Sequence, residues 1–181
     1  MTDIYNVVLL VEQALTPADA AQVRSLHDGL DEPVVYHVLM PLEDAAARIE
    51  SAMGSLSAGE VLSSPAMAMS DVDLEAVRRD CRDRSDADLQ ATLAALRSTG
   101  ATVTGHVVGD PPIDALAAKV TEVDGREAII LTRPHVVAEF FHVDWTSRAR
   151  RKIGVPVLHL LEHENFDEQA ESYGGEGVTG F

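Results

Sequence analysis

The chain has 181 residues, which is long for one domain and short for two. Its 14 basic and 30 acidic residues give a net charge of −16, which argues against binding to nucleic acid or to an anionic membrane, because phosphate contacts require clustered Lys and Arg. Cys81 is the single cysteine, so an intramolecular disulfide is excluded, and we expect this thiol to be a small core residue.

The N-terminus gives no sign of a targeting segment. Residues 1–6 carry no positive charge, and the apolar run that follows, residues 7–11, is too short for a signal peptide or a membrane span. We therefore expect a cytoplasmic protein.

The first half of the chain predicts two strands with a helix between them. The continuous apolar run of residues 7–11 is typical of a strand buried on both faces of a parallel sheet. Thr16 is expected to cap a helix that begins at Pro17, and a second strand covers residues 34–39. The predicted apolar stripe of this helix consists of Ala20, Val23, Leu26 and Leu30.

The middle of the chain changes character. Leu42 and the apolar residues after it predict a short amphipathic helix, and residues 54–70 predict a mobile insertion before the next helix. From Asp71 the helical pattern returns, in two pieces, because residues 85–88 resemble a new helix N-terminus.

The second half predicts three more strands, at residues 102–108, 128–131 and 155–161. Helices beginning near Pro111 and at Asp144 alternate with them. This alternation predicts an α/β fold, a doubly wound parallel sheet of five strands with helices on both faces. His37 and His106 fall within strands, where a packed or hydrogen-bonded role is expected.

Residues 99–160 resemble the C-terminal half of the universal stress protein family. The resemblance rests on Val-Gly-Asp-Pro at residues 108–111, which opens a helix, and on the closing strand that begins Val-Pro-Val-Leu at residue 155. It implies a Rossmann-like fold over residues 1–162. The acidic, glycine-containing composition of residues 163–181 predicts a disordered tail. The resemblance also implies a homodimer through the last strand, with Val155, Val157, His159 and Leu161 at the interface.

The resemblance fails at the nucleotide motif. Family members that bind ATP carry Gly-x2-Gly-x9-Gly-[Ser/Thr], because bare backbone must approach the phosphates. The corresponding residues 132–145 contain no glycine, and Asp144 would place a carboxylate beside the phosphates. Glu12 approximates the aspartate that the family carries after its first strand. We therefore expect no cofactor, with ATP or AMP binding as the alternative.

The candidate ligand site lies at the carboxyl-terminal edge of the sheet, where open α/β folds bind ligands. Basic residues at 148 and 150–152 are interpreted as the single basic cluster of the chain. The candidate ligand-binding residues are Glu12, Gly109, Arg133, His135, Asp144, Thr146 and Arg148.

Three functions remain open. The first is a homodimeric regulatory or binding module that has lost the family's phosphate loop. The second is a binder of nucleotides or other small ligands with a remodelled site. The third is a metal-assisted hydrolase, since His135, Glu139 and His142 would share one helical face if residues 135–142 were helical.

Overall fold

The computed structural model describes residues 3–43, 71–132 and 150–161. Five strands form one sheet in the order β3-β2-β1-β4-β5, and every neighbouring pair is parallel. The predicted doubly wound α/β sheet is confirmed. The strands are β1 (Tyr5–Val11), β2 (Val34–Pro41), β3 (Thr102–Val108), β4 (Glu127–Thr132) and β5 (Val157–Leu161).

Helices cover both faces of the sheet. The helices are α1 (Pro17–Ser25), α2 (Asp71–Ser98) and α3 (Pro112–Glu122), and residues 150–153 are also helical. One apolar core joins the sheet to α1 and α2, and a second joins it to α3 and Ile153. None of the helices in the described part of the chain has the length and hydropathy needed to span a bilayer.

Strand β1 lies at the centre of both cores. Its residues 7–11 are all buried, and alternate side chains enter opposite cores, so that Leu9 faces α1 and α2 whereas Leu10 faces α3. The continuous apolar run therefore has the physical cause that the sequence indicated: this strand has helices above and below it and a paired strand on each side.

The start of α1 follows the prediction. Thr16 is the N-cap, its hydroxyl accepts the Asp19 backbone N–H, and the Asp19 carboxylate accepts the Thr16 backbone N–H in return. The predicted stripe is wrong at its far end, because the helix stops at Ser25. Leu26 and Leu30 are 36% and 40% exposed, and His27 is buried instead.

His27 lies in a hydrogen-bonded network at the amino-terminal edge of the sheet. Its Nε2 is 2.6 Å from Glu127 Oε1, and its Nδ1 is 2.8 Å from the Tyr36 hydroxyl. Because a carboxylate only accepts, Nε2 donates to Glu127. The same Nδ1 also lies 3.3 Å from the Val23 carbonyl oxygen. The Tyr5 hydroxyl donates to the second oxygen of Glu127 at 3.2 Å.

The network changes the acid–base properties of its members. The hydrogen bond from His27 is the main reason that the pKa of Glu127 lies below its ordinary value. Burial raises the pKa of Tyr36 to about 12. The network thus links the end of α1 to the amino ends of β1, β2 and β4.

Helix α2 is continuous over 28 residues, and the predicted break at residues 85–88 is wrong. Ser85 is buried in the middle of the helix and does not start a new one. Its hydroxyl accepts the Glu43 backbone N–H at 3.1 Å and donates to the Pro41 carbonyl at 3.4 Å. A serine that resembled a cap in the sequence therefore fastens α2 to the carboxyl end of β2.

Gly105 fixes how closely α2 approaches β3. A Cβ atom at this position would lie 2.9 Å from the Val38 carbonyl oxygen and 3.0 Å from a methyl carbon of Leu89. Only a glycine allows the helix and the two strands to pack at this distance.

The two histidines that lie within strands differ in burial and in hydrogen bonding. His37 is half-buried and hydrogen-bonded, to Asn6 Oδ1 at 3.0 Å and to the Thr104 hydroxyl at 3.2 Å, as predicted. His106 is exposed, because the face of β3 on which it lies extends beyond α3.

Three predicted segments lie outside the described residues: the helix after Leu42, the insertion at 54–70 and the tail at 163–181. The 1–162 domain boundary stays a prediction.

Replacing His27 tests the network. His27→Leu should lower the free energy of unfolding by about 2–3 kcal/mol, because it removes the imidazole partner of the buried Tyr36 hydroxyl and the imidazole donor to Glu127. The control Leu26→Ala alters an exposed neighbour and should change stability by less than about 0.5 kcal/mol. Urea unfolding followed by circular dichroism measures both, and equal effects of the two variants would contradict the assignment.

Candidate functional site

The carboxyl-terminal edge of the sheet carries a groove of about 1080 Å³. It lies between the ends of β2 and β3 on one side and the first half of α2 on the other, and a smaller cavity of about 310 Å³ adjoins it. Its lining is mainly apolar, with Leu42, Leu74, Val108 and Pro111 among the lining residues. Ligands of open α/β sheets bind at this edge.

Three arginines of α2 line the groove. Arg78, Arg79 and Arg82 border it, and Arg84 follows on the same helix. The interpretation that residues 148–152 form the single basic cluster is therefore wrong. The α2 arginines alternate with Asp80 and Asp83, and this alternation conceals the positive cluster when the sequence is scanned for charge runs.

Two of these arginines have no carboxylate partner in the described part of the chain. Arg78 is 2.8 Å from Glu75, and Arg84 lies 3.9 Å from Glu43. Among residues 3–43, 71–132 and 150–161, no carboxylate lies within 4.0 Å of the guanidinium of Arg79 or Arg82. Both side chains are exposed at the groove rim, where an anion can approach them.

Gly109 lies in the groove wall, in the turn that joins β3 to α3. Helix α3 begins at Pro112 with Pro111 as its N-cap, and no side chain caps it. Asp110 therefore does not cap the helix, and its exposed carboxylate lines the groove. The groove thus combines three arginines, the carboxylates of Glu43, Glu75 and Asp110, and an apolar floor.

The other candidate site residues at this edge follow β1, β4 and β5. Glu12 is half-buried directly after β1, and its backbone N–H donates to the Leu131 carbonyl at 3.3 Å. His159 Nε2 and the Thr132 hydroxyl are 2.8 Å apart, which joins β5 to β4. Burial lowers the pKa of His159, so the imidazole is neutral at pH 7.

Several predicted residues cannot be assigned a geometry. Arg133, His135, Asp144, Thr146 and Arg148 lie outside the described residues, as do the proposed metal ligands at 139 and 142. Within the described ranges no group of three or more His, Cys, Asp or Glu side chains could hold a metal ion. Lys152 is exposed and bonds Asp114 on α3, which gives it a structural partner.

The predicted dimer strand occupies an edge of the sheet. The strand begins at Val157 rather than Val155, because Pro156 lacks an N–H, and its backbone pairs with β4 alone. Val155 and Val157 pack against the core beside α3, while Leu158 is 40% exposed. The side chain of Leu161 lies outside the described part of the structure.

Cys81 is buried as predicted and contributes to the groove floor.

Comparison with known proteins identifies the fold. No protein-family model matches the chain, and no curated protein does. The solved structure of the hypothetical protein MJ0577 matches 89% of this chain and 99% of its own, with 11% identity and a TM-score of 0.55. The chain shares the fold of that structure over most of its length. The predicted Rossmann-like fold is confirmed, and at 11% identity the likeness shows the fold alone.

Other matches are weaker. A universal stress protein from Archaeoglobus fulgidus is 15% identical over 86% of this chain and 93% of its own, with a TM-score of 0.46. A universal stress protein family protein from Arabidopsis thaliana, whose structure has AMP bound, is 14% identical over 90% of this chain and 94% of its own, with a TM-score of 0.47. Likenesses at these TM-scores support no conclusion about ligands of this chain.

The half-buried His159 predicts an acid-sensitive fold. Its folded-state pKa lies below its unfolded value of 6.5, so the unfolded chain binds the proton more readily and stability falls as pH drops below that value. His37 acts in the same direction, because burial and then Lys119 lower its pKa.

His159→Gln should therefore weaken the dependence of unfolding free energy on pH between 7.5 and 5. Urea unfolding at several pH values measures the slope for each protein. The same slope in His159→Gln as in the wild type would contradict the prediction.

Proposed function

We propose that this protein is a regulatory binding module that takes a small anionic ligand in the groove at the carboxyl edge of the sheet. The observation that carries the proposal is that Arg78, Arg79 and Arg82 line a groove in a chain of net charge −16. Glu43, Glu75 and Asp110 line the same groove, but among the described residues no carboxylate lies within 4.0 Å of the guanidinium of Arg79 or Arg82. Phosphate or carboxylate groups match the planar donors of these two arginines.

The mode of anion binding differs from that of a glycine-rich phosphate loop. In such a loop, backbone N–H groups approach the phosphates, which requires residues without side chains. Residues 132–145 contain no glycine, whereas α2 offers charged side chains that need no close backbone approach. The side-chain donors of Arg79 and Arg82 would replace the missing loop. Nucleotides, inorganic phosphates and small carboxylates all have the required charge.

The apolar floor and Asp110 limit the ligand further. Leu42, Leu74 and Val108 provide apolar contact, and the volume of the groove is of the size that encloses a small organic molecule. Asp110 repels a second anionic group at its end of the groove and accepts hydrogen bonds from a hydroxyl or amine. The ligand that matches these features best has an anionic end, an apolar body and a hydroxyl or amine that donates a hydrogen bond to Asp110.

A thermal-shift scan tests the binding function. The full chain is heated with ATP, AMP, pyrophosphate and aromatic carboxylates in turn. A ligand at about 100 times its Kd should stabilise the fold by roughly 2.7 kcal/mol, which raises Tm by several degrees. The double variant Arg79→Gln/Arg82→Gln should lose at least about tenfold in affinity, because each charged hydrogen bond contributes about 1.5–3 kcal/mol.

Arg97→Gln is the matched control, since Arg97 is an exposed arginine of the same helix that does not line the groove. It should bind the ligand as the wild type does. Equal losses in the double variant and in Arg97→Gln would indicate a general charge effect and contradict the groove assignment, as would a scan in which no anion raises the Tm.

We further propose that the module is a homodimer through β5. The supporting observations are that this strand lies at the edge of the sheet, contains no charged residue and carries the exposed Leu158. Unprotected apolar edges readily pair with a second chain. Two antiparallel β5 strands would extend the sheet across the dimer and cover Leu158.

Leu158→Lys tests the dimer. A charge on each of two facing strands should raise the dimer dissociation constant by tenfold or more, because like charges repel and the apolar contact is lost. Leu30→Lys is the control, since Leu30 has the same 40% exposure at a site remote from β5. Light scattering after size exclusion gives the mass of each protein. A wild-type monomer, or a Leu158→Lys variant that remains dimeric, would refute the proposal.

A further inference from the structure

The unpaired charges of the groove have both signs. Arg79 and Arg82 have no carboxylate within 4.0 Å among the described residues. Asp110 lines the same groove, and Asp86 lines the smaller cavity that adjoins it, together with Arg82 and Gly109. In the described part of the chain no Lys, Arg or His nitrogen lies within 4.0 Å of either carboxylate. The unpaired side chains therefore comprise two positive and two negative groups.

The other charged groups of the lining have partners within the protein. Arg78 lies 2.8 Å from Glu75 on the same helix. Glu43, which follows β2, lies 3.9 Å from Arg84. These pairs add no net charge to the groove. A groove whose charges balance in this way favours a ligand with one charge of each sign over a polyanion, because complementary potentials determine which partner is accepted.

The opposite charges lie on different walls of the groove. Arg79 and Arg82 belong to α2, which packs on one face of the sheet, whereas Asp110 lies in the turn between β3 and α3. The apolar floor includes Leu42 and Val108. Since the guanidinium groups and this carboxylate are more than 4.0 Å apart, they do not neutralise each other. A molecule that contacts both walls and covers the floor must carry its charges at opposite ends.

We propose that the ligand of this groove is a short zwitterionic peptide with apolar side chains. Its terminal carboxylate accepts hydrogen bonds from Arg79 and Arg82, and its terminal ammonium donates to Asp110. This inference rests on the proposed function, because it adds a cationic end to the anionic end already assigned. An extended tripeptide separates its terminal charges by roughly 10 Å. The groove volume of about 1080 Å³ accommodates a molecule of this size.

Matched tripeptides test the charge pattern. Leu-Ala-Leu, its N-acetyl derivative and its C-terminal amide are titrated into the full chain by isothermal titration calorimetry. The first derivative lacks the ammonium and the second lacks the carboxylate, while the apolar body is unchanged. Each derivative should bind at least about tenfold more weakly than Leu-Ala-Leu, because each loses a charged hydrogen bond. Leucine alone should also bind at least about tenfold more weakly, because its two charges share one carbon atom and it makes fewer of these contacts.

Asp110→Asn tests whether the ammonium binds at the proposed wall. This variant should bind Leu-Ala-Leu and its N-acetyl derivative with similar Kd values, because the side-chain amide has no charge with which to attract the ammonium. Asp31→Asn is the matched control, since Asp31 is an exposed aspartate before β2, at the amino edge of the sheet. The control should retain the preference for the free ammonium.

The outcomes separate this inference from the proposed function. If Leu-Ala-Leu and its N-acetyl derivative bind equally to the wild type and both weaken in Arg79→Gln/Arg82→Gln, the anion site stands and the zwitterionic ligand is refuted. A preference for the ammonium that persists in Asp110→Asn, or that Asp31→Asn abolishes equally, also overturns the inference. Leucine that binds as tightly as Leu-Ala-Leu overturns the peptide class. If neither the peptides nor any anion binds, the proposed function fails and this inference fails with it.

Discussion

The burial of β1 on both faces is the constraint on which the rest of the structure depends. Its five apolar residues 7–11 require helices above and below and a paired strand on each side. The chain meets this requirement by placing β2 and β3 on one side and β4 and β5 on the other, which makes β1 the point where the strand order reverses. All carboxyl ends then share one edge, and the groove and Glu12 lie there.

The sequence predicted the sheet well, because its signals are local. Continuous apolar runs and a Thr16–Pro17 helix start are written in neighbouring residues. The prediction failed at residues whose side chains contact an element far away in the sequence. Ser85 resembles a helix cap but bonds the end of β2, and His27 takes the buried position that helical periodicity gave to Leu26. Such roles depend on contacts far apart in sequence, which no local pattern contains.

The sequence pointed to the carboxyl edge of the sheet as the place of a candidate site, but not to the arginines of the groove that lies there. Open α/β sheets bind at the carboxyl edge, and Gly109 does lie in the wall of the groove. The arginines were missed, because Asp80 and Asp83 interrupt them and reduce the net charge of the segment, although helical geometry brings Arg78 and Arg82 onto one face at i and i+4. A scan of charge by helical face, rather than by run, would have found them.

The central claim is that α2 supplies the anion contacts of this fold. A crystal of the full chain grown with tungstate tests it most directly, since the anomalous signal of the metal atom locates this tetrahedral oxyanion without reference to any variant. The account predicts a tungstate site bonded to Arg79 and Arg82 beside residues 108–112. Tungstate bound only elsewhere, with both guanidinium groups free of it, would contradict the account.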